Sequence, residues 1–203
     1  MHRSLTYALV GIIALCMSSS ISFAQEKKTD DAFRKAAEAE EKLAQPSEEH
    51  KKLAQLAGTW KAETKFYPAP GAKPIVFNGS AQNTMILGGR FLKSESRFAG
   101  PMPVETFSLM GFDRRYGKYT YAGYDTTGTF GITAVGGFDV ATSTIAMSGE
   151  ETDPTLGLTS KYDVNIRLAG PDQYIVEVAF KNPEMTGGAK EFKAVEVIYT
   201  RTQ

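Results

Sequence analysis

From residue 59 to the C-terminus the chain is built of short runs in which apolar and polar side chains alternate. The runs fall at residues 59–66, 75–87, 90–98, 105–112, 119–126, 130–135, 142–148, 159–168, 173–180 and 191–202. A period of two marks strands, whose successive side chains point to opposite faces. Glycine, proline and aspartate punctuate them, at Pro70 and Gly71, Gly88 and Gly89, Gly170 and Pro171, and Gly187 and Gly188 among others. No long helical period interrupts the series, and no internal repeat is visible. The pattern predicts an all-β fold, a closed antiparallel β-barrel of about ten strands, because closure removes the exposed edges that a sheet would otherwise leave.

The pattern before residue 59 is different. Leu5 to Met17 is an apolar run behind a weak basic start, His2 and Arg3, and Ser22-Phe23-Ala24 places small residues where a signal peptidase reads them. Residues 1–24 therefore read as a signal peptide cut after Ala24, with export to the periplasm or medium. Lipid attachment at Cys16 is disfavoured by the bulky Leu15 before it. Residues 25–46 form a charged spacer, with a helix expected over 32–44 behind Asp30 or Asp31. Ser47 caps a second expected helix, 47–57. Glu48 and Glu49 lie in its first turn, Leu53 and Leu56 on one face, and Gly58 at its end. That helix is expected to plug one mouth of a barrel domain spanning 47–203.

Composition adds limits. The 203 residues carry 23 Lys and Arg against 23 Asp and Glu, so the net charge is zero. Removing Arg3 with the leader makes it −1 (22 against 23). This balance gives no electrostatic footprint for nucleic acid or for an anionic membrane surface. Cleavage would also remove the single cysteine, leaving a barrel held without disulfides. His50 would then be the only histidine, without the companions a zinc site needs.

Several short matches, each weak, combine into a more specific pattern. They are His50, Leu53, Leu56, Gly58 and Trp60; residues 87–92 (LGGRFL); Gly111-Phe112-Asp113; Tyr124-Asp125 with Gly128-Thr129; Gly149-Glu150 with Asp153-Pro154 and Gly157; and Glu196 with Tyr199-Thr200-Arg201. With them the chain resembles the bacterial domain-of-unknown-function family 1579 from Ser47 onward. The resemblance implies a lipocalin-like (calycin-type) barrel and no established activity. Before the central aspartate, where many members carry tryptophan, this chain has Tyr124. The glycine and tryptophan of the first strand are also similar to those of nitrobindin-type haem barrels. A haem there needs an axial histidine inside the barrel, and none follows His50. No cofactor is expected.

Alternation groups Leu92, Ser94, Ser96 and Phe98 on one face, opposite Phe91, Lys93, Glu95 and Arg97. It likewise groups Tyr119, Tyr121, Gly123 and Asp125, opposite Thr120, Ala122 and Tyr124. Such mixed faces suit either a partly polar cavity or ordinary ion-paired outer strands. Candidate ligand-binding residues are Arg90, Glu95, Tyr121, Tyr124 and Asp125, with Phe98, Phe107 and Phe130 as further aromatic lining. Arg90 is expected to pair with Glu196, Asp125 or an anionic ligand. Trp60 and Arg201 are expected to close the barrel, the guanidinium over the indole. No nucleophile with a base, metal cluster or phosphate-cradling loop appears, and the pattern points away from catalysis. The expected function is a barrel that binds a small apolar or amphipathic molecule. A ligand-free interaction barrel, and a hydrolase or isomerase using interior carboxylates such as Glu95 with Asp125, remain open.

Overall fold

A computed structural model describes residues 23–100, 103–155 and 157–202. The expected leader lies outside the described residues up to position 22. Helix α1 (Phe23–Ala44) begins earlier than the expected helix over 32–44. Along it Arg34 pairs with Asp31 at 3.0 Å. No helix among the described residues is long and apolar enough to cross a membrane.

From Leu43 onward the chain forms one compact unit. Helix α2 (Glu48–Ala54) leads into ten strands. These are β1 (Gly58–Phe66), β2 (Ile75–Ile86), β3 (Phe91–Ala99), β4 (Val104–Asp113), β5 (Lys118–Asp125), β6 (Gly131–Asp139), β7 (Thr144–Asp153), β8 (Leu158–Gly170), β9 (Gln173–Phe180) and β10 (Phe192–Arg201). One short helix, α3 (Pro183–Thr186), precedes β10 and has no counterpart in the hydrophobic pattern. Every strand pairs antiparallel with its sequence neighbours, and β1 pairs with β10, so the barrel is closed.

The inward face follows from burial. In β1, Trp60, Ala62 and Thr64 are buried between exposed Thr59, Lys61 and Glu63. Register then carries the assignment around the wall, through Trp60 opposite Ala81 on one side and opposite Arg201 on the other. On β3 the inward set is Leu92, Ser94, Ser96 and Phe98; on β5 it is Tyr119, Tyr121, Gly123 and Asp125. The outer wall carries ion pairs, Lys65 with Glu196 at 2.9 Å and Lys193 with Glu177 at 2.9 Å.

Large side chains crowd the end of the barrel nearest α2. Leu53, Leu56, Trp60, Tyr119, Ile145, Met147 and Ile166 all belong to this core. Leu53 is wholly buried, and each such side chain contributes about 1.5–3 kcal/mol. The turn after the plug is held by Arg201. It donates from Nη1 to the carbonyl of Ala57 and from Nη2 to that of Gln55, both at 2.8 Å. Its guanidinium carbon sits 4.1 Å from the centroid of the Trp60 ring, as the sequence predicts. Trp60 Nε1 and Asn83 Nδ2 each donate to the Leu56 carbonyl at 2.9 Å. Gly58 passes this crossing at φ +129°, where a Cβ would stand 2.5 Å from Arg201 Nη1.

The plug contacts generate a first prediction. Arg201→Lys keeps the charge but loses the forked donor that spans two carbonyls, and should cost about 2 kcal/mol in urea unfolding. Leu53→Ala should cost about 2–5 kcal/mol by the same measurement. Losses below 0.5 kcal/mol in both (roughly the range of ordinary surface substitutions) would mean that the plug is not part of the folded core.

Candidate functional site

The half of the barrel remote from α2 is hollow. A cavity of about 360 Å³ opens at the mouth formed by the far ends of the strands. Its walls are apolar: Phe77, Phe98, Ile132, Val176, Val178 and Val197 among others. Tyr121, Tyr199 and Thr64 supply its polar atoms nearer the filled half. These belong to a layer of hydroxyls and amides that crosses the barrel. The Ser108 hydroxyl lies beside that of Tyr121, and the Ser96 hydroxyl beside that of Tyr199. Tyr174 stacks on Tyr199, with centroids 4.3 Å apart and planes 9° from parallel, and accepts from Asn83 Nδ2 at 2.9 Å. Burial holds the Tyr121, Tyr174 and Tyr199 hydroxyls above the ordinary tyrosine pKa, so they are neutral donors and acceptors at neutral pH. Gly123 makes room for Tyr121, whose Oη would lie 2.5 Å from a Cβ there.

Two polar atoms of this layer lack a partner among the described residues, Asn83 Oδ1 and Thr64 Oγ1, and of the two residues only Thr64 lines the cavity. Thr64 is 5% exposed, lines the cavity, and its Oγ1 has no hydrogen-bond partner among the described residues. A buried hydroxyl left unpaired costs about 1–3 kcal/mol.

The structure distributes the candidate residues unequally. Tyr121 lies in the cavity. Asp125 stands at its mouth, on the inward face, and accepts from the Thr127 backbone N–H at 2.7 Å. Tyr124 belongs to the outward face, packed against Phe107 at 6.4 Å, and reaches the cavity only at its rim. Phe98 and Phe130 also line it, whereas Phe107 lies in an outer groove. Glu95 is corrected to the outer wall, where it pairs with Lys93 at 2.7 Å. It shares no face with Asp125, so the proposed interior carboxylate pair is not formed. Arg90 is corrected to the plugged end. It donates from Nε to Ala44 at 3.0 Å and from Nη1 to Leu87 at 3.2 Å, not to Glu196 or Asp125. Glu196 is held on the outer wall by Lys65 and Lys193. Thr64, Tyr199, Val176 and Val178 were not among the candidate ligand-binding residues read from the sequence. Counting alternate positions from Trp60 and back from Arg201 would have reached the first two.

No group of three or more His, Cys, Asp or Glu side chains among the described residues could hold a metal ion. His50 serves the plug instead. Its Nδ1 accepts from the Ser47 backbone N–H at 3.0 Å, closing a capping box, and its ring meets Phe112 edge-on at 6.0 Å. It is buried rather than lying at the surface.

The profile described as Protein of unknown function (DUF1579) matches residues 45–201. The chain belongs to the DUF1579 family. Its matched region contains the plug, all ten strands and the cavity. No curated protein matches the chain. Among solved structures a redesigned beta barrel is similar, at 11% identity over 74% of this chain and 95% of its own, with a TM-score of 0.39. At that level it carries no argument about the DUF1579 protein.

The capping box predicts a pH dependence. Desolvation lowers the pKa of His50 below its ordinary value, with Arg114 and Arg90 acting in the same direction and Glu49 opposing them. The stability this gives is fully present above the unfolded-chain value of about 6.5 and is lost as pH falls through the lower folded value. His50→Gln keeps an acceptor at the same helix position without the titration. Between about pH 7.5 and about pH 5.5 the wild type should lose stability relative to this variant. Parallel melting curves across that range would show that His50 does not titrate against the fold.

Proposed function

We propose that this DUF1579 protein is an exported binding barrel that takes one small apolar or amphipathic molecule through its open mouth. The observation that carries the reading is the asymmetry of filling. Buried Leu53, Trp60, Ile145 and Met147 fill the interior beneath α2, while the other half keeps a cavity of about 360 Å³ with apolar walls. This volume lies within the range of small-molecule sites, where apolar lining supplies affinity and a few convergent polar groups supply orientation. Exposed Phe66 and Ile75 lie at the open ends of β1 and β2, and exposed Phe130 just before β6, where an apolar guest would enter. Export rests on the apolar run and small-residue site of residues 1–24.

Intact-mass measurement of the protein isolated from its own host tests both parts. Under denaturing conditions the mass should correspond to a chain beginning at Gln25. Under native conditions a mass excess should appear that denaturation removes. Val178→Trp places an indole in the cavity and should abolish the excess while leaving the circular dichroism of the barrel unchanged. A folded Val178→Trp variant that retained the bound mass would contradict binding in the cavity, and a start at a lipid-modified Cys16 would contradict the cleavage site.

A further inference from the structure

We propose that the cavity selects molecules with an uncharged, hydrogen-bonding head, such as a medium-chain alcohol, and seats that head inward on Thr64. The inference rests on the binding reading above and specifies its ligand.

Charge inside the cavity sets the first constraint. Among the described residues that line it there is no lysine, arginine or histidine, and the one charged side chain is Asp125 at the mouth. A carboxylate or phosphate head could take two orientations, and both are unfavourable. Pointing inward, it would lose its water and meet no cation, which is costly for an ion in an apolar enclosure. Pointing outward, it would stand beside the Asp125 carboxylate. A wholly apolar guest would avoid both problems but would leave Thr64 Oγ1 as it is, buried and without a partner.

Hydrogen-bonding capacity sets the second constraint. The Tyr199 and Tyr121 hydroxyls have the Ser96 and Ser108 hydroxyls beside them as partners. Thr64 Oγ1 is the cavity-lining hydroxyl of this layer left without a partner; it is enclosed as it stands, and a turn about χ1 presents it to the cavity, where it can both donate and accept. A neutral hydroxyl or carbonyl head matches it in either sense. The Val197 and Phe77 side chains, on the strands flanking Thr64, then enclose the carbons next to the head. The remainder of the chain extends past Val178 and Ile132 toward the mouth.

The test uses the mature protein with decanol, decanoate and decane as probes, each read by displacement of an environment-sensitive apolar dye at neutral pH. The probes share a ten-carbon skeleton and differ in the head. Decanol should bind about tenfold or more tightly than decanoate, since desolvating an unpaired ion exceeds the value of one hydrogen bond. Thr64→Val preserves shape and removes the hydroxyl. It should weaken decanol by about two- to tenfold, the range of one net hydrogen bond, and leave decane unchanged. Decanoate binding as tightly as decanol would overturn the inference, as would equal decanol affinity in the Thr64→Val protein. If neither the dye nor any of the three probes bound the folded protein, the binding reading itself would fail. That outcome is distinct from loss of head-group selection, in which all three bind alike.

Discussion

Arg201 ties the two ends of the domain to one another. It lies at the end of the last strand, directly opposite Trp60 at the start of the first, on the strand pair that closes the barrel. From there its fork reaches the Ala57 and Gln55 carbonyls after α2, and its plane covers the Trp60 indole. Carbonyls at a helix C-terminus lack intrahelical partners and carry the negative end of the dipole, so a guanidinium is well matched to them. Closure of the barrel and seating of the plug are thereby one event. Gly58 is the concession the backbone makes, since any side chain there would displace the guanidinium.

A hollow follows from this arrangement. With α2 fixed against one mouth, the bulky inward residues Trp60, Tyr119, Met147 and Ile166 pack beneath it and fill that half. The tyrosine layer roofs the packed region, with the Tyr174 hydroxyl bonded to Asn83 and the Thr64 hydroxyl left without a partner. Beyond it Val176, Val178, Val197 and Gly123 take up little of the interior, and Phe77 and Phe98 meet edge to face on the adjacent strands β2 and β3. Ten strands enclose more volume there than those residues occupy. The functional reading thus comes from incomplete filling of the barrel beyond the tyrosine layer and needs no unusual chemistry.

The ten strands were legible because alternation and turn residues agree along the whole region, and the Trp60–Arg201 closure because a glycine, a tryptophan and a terminal arginine occupy fixed places in it. The candidate site was only partly legible. Alternation alone separates Tyr121 and Asp125 from Tyr124, so those three could not all project into one interior. The same rule sets Glu95 apart from Ser94 and Ser96. Which face is inward needed burial, and burial depends on partners distant in sequence. Arg90 was misplaced because it precedes β3 at a glycine turn, where strand parity does not apply. Parity also fails in β10. Lys193 has the numbering of inward Val195 and Val197, yet it joins Glu177 and Glu196 outside because the register shifts between Lys193 and Val195. The capping role of His50 was not legible, because it appears only once Ser47 and Phe112 are brought to it.

The most direct measurement is anomalous diffraction from crystals of the mature protein soaked with an alkanol brominated at the end opposite its hydroxyl. The account predicts one bromine peak inside the open mouth, near Phe130 and Val178, with density running inward to Thr64. A bromine peak beneath α2, or only in the outer groove beside Phe107 and Glu95, would contradict a barrel that is stoppered at one end and receives its ligand at the other.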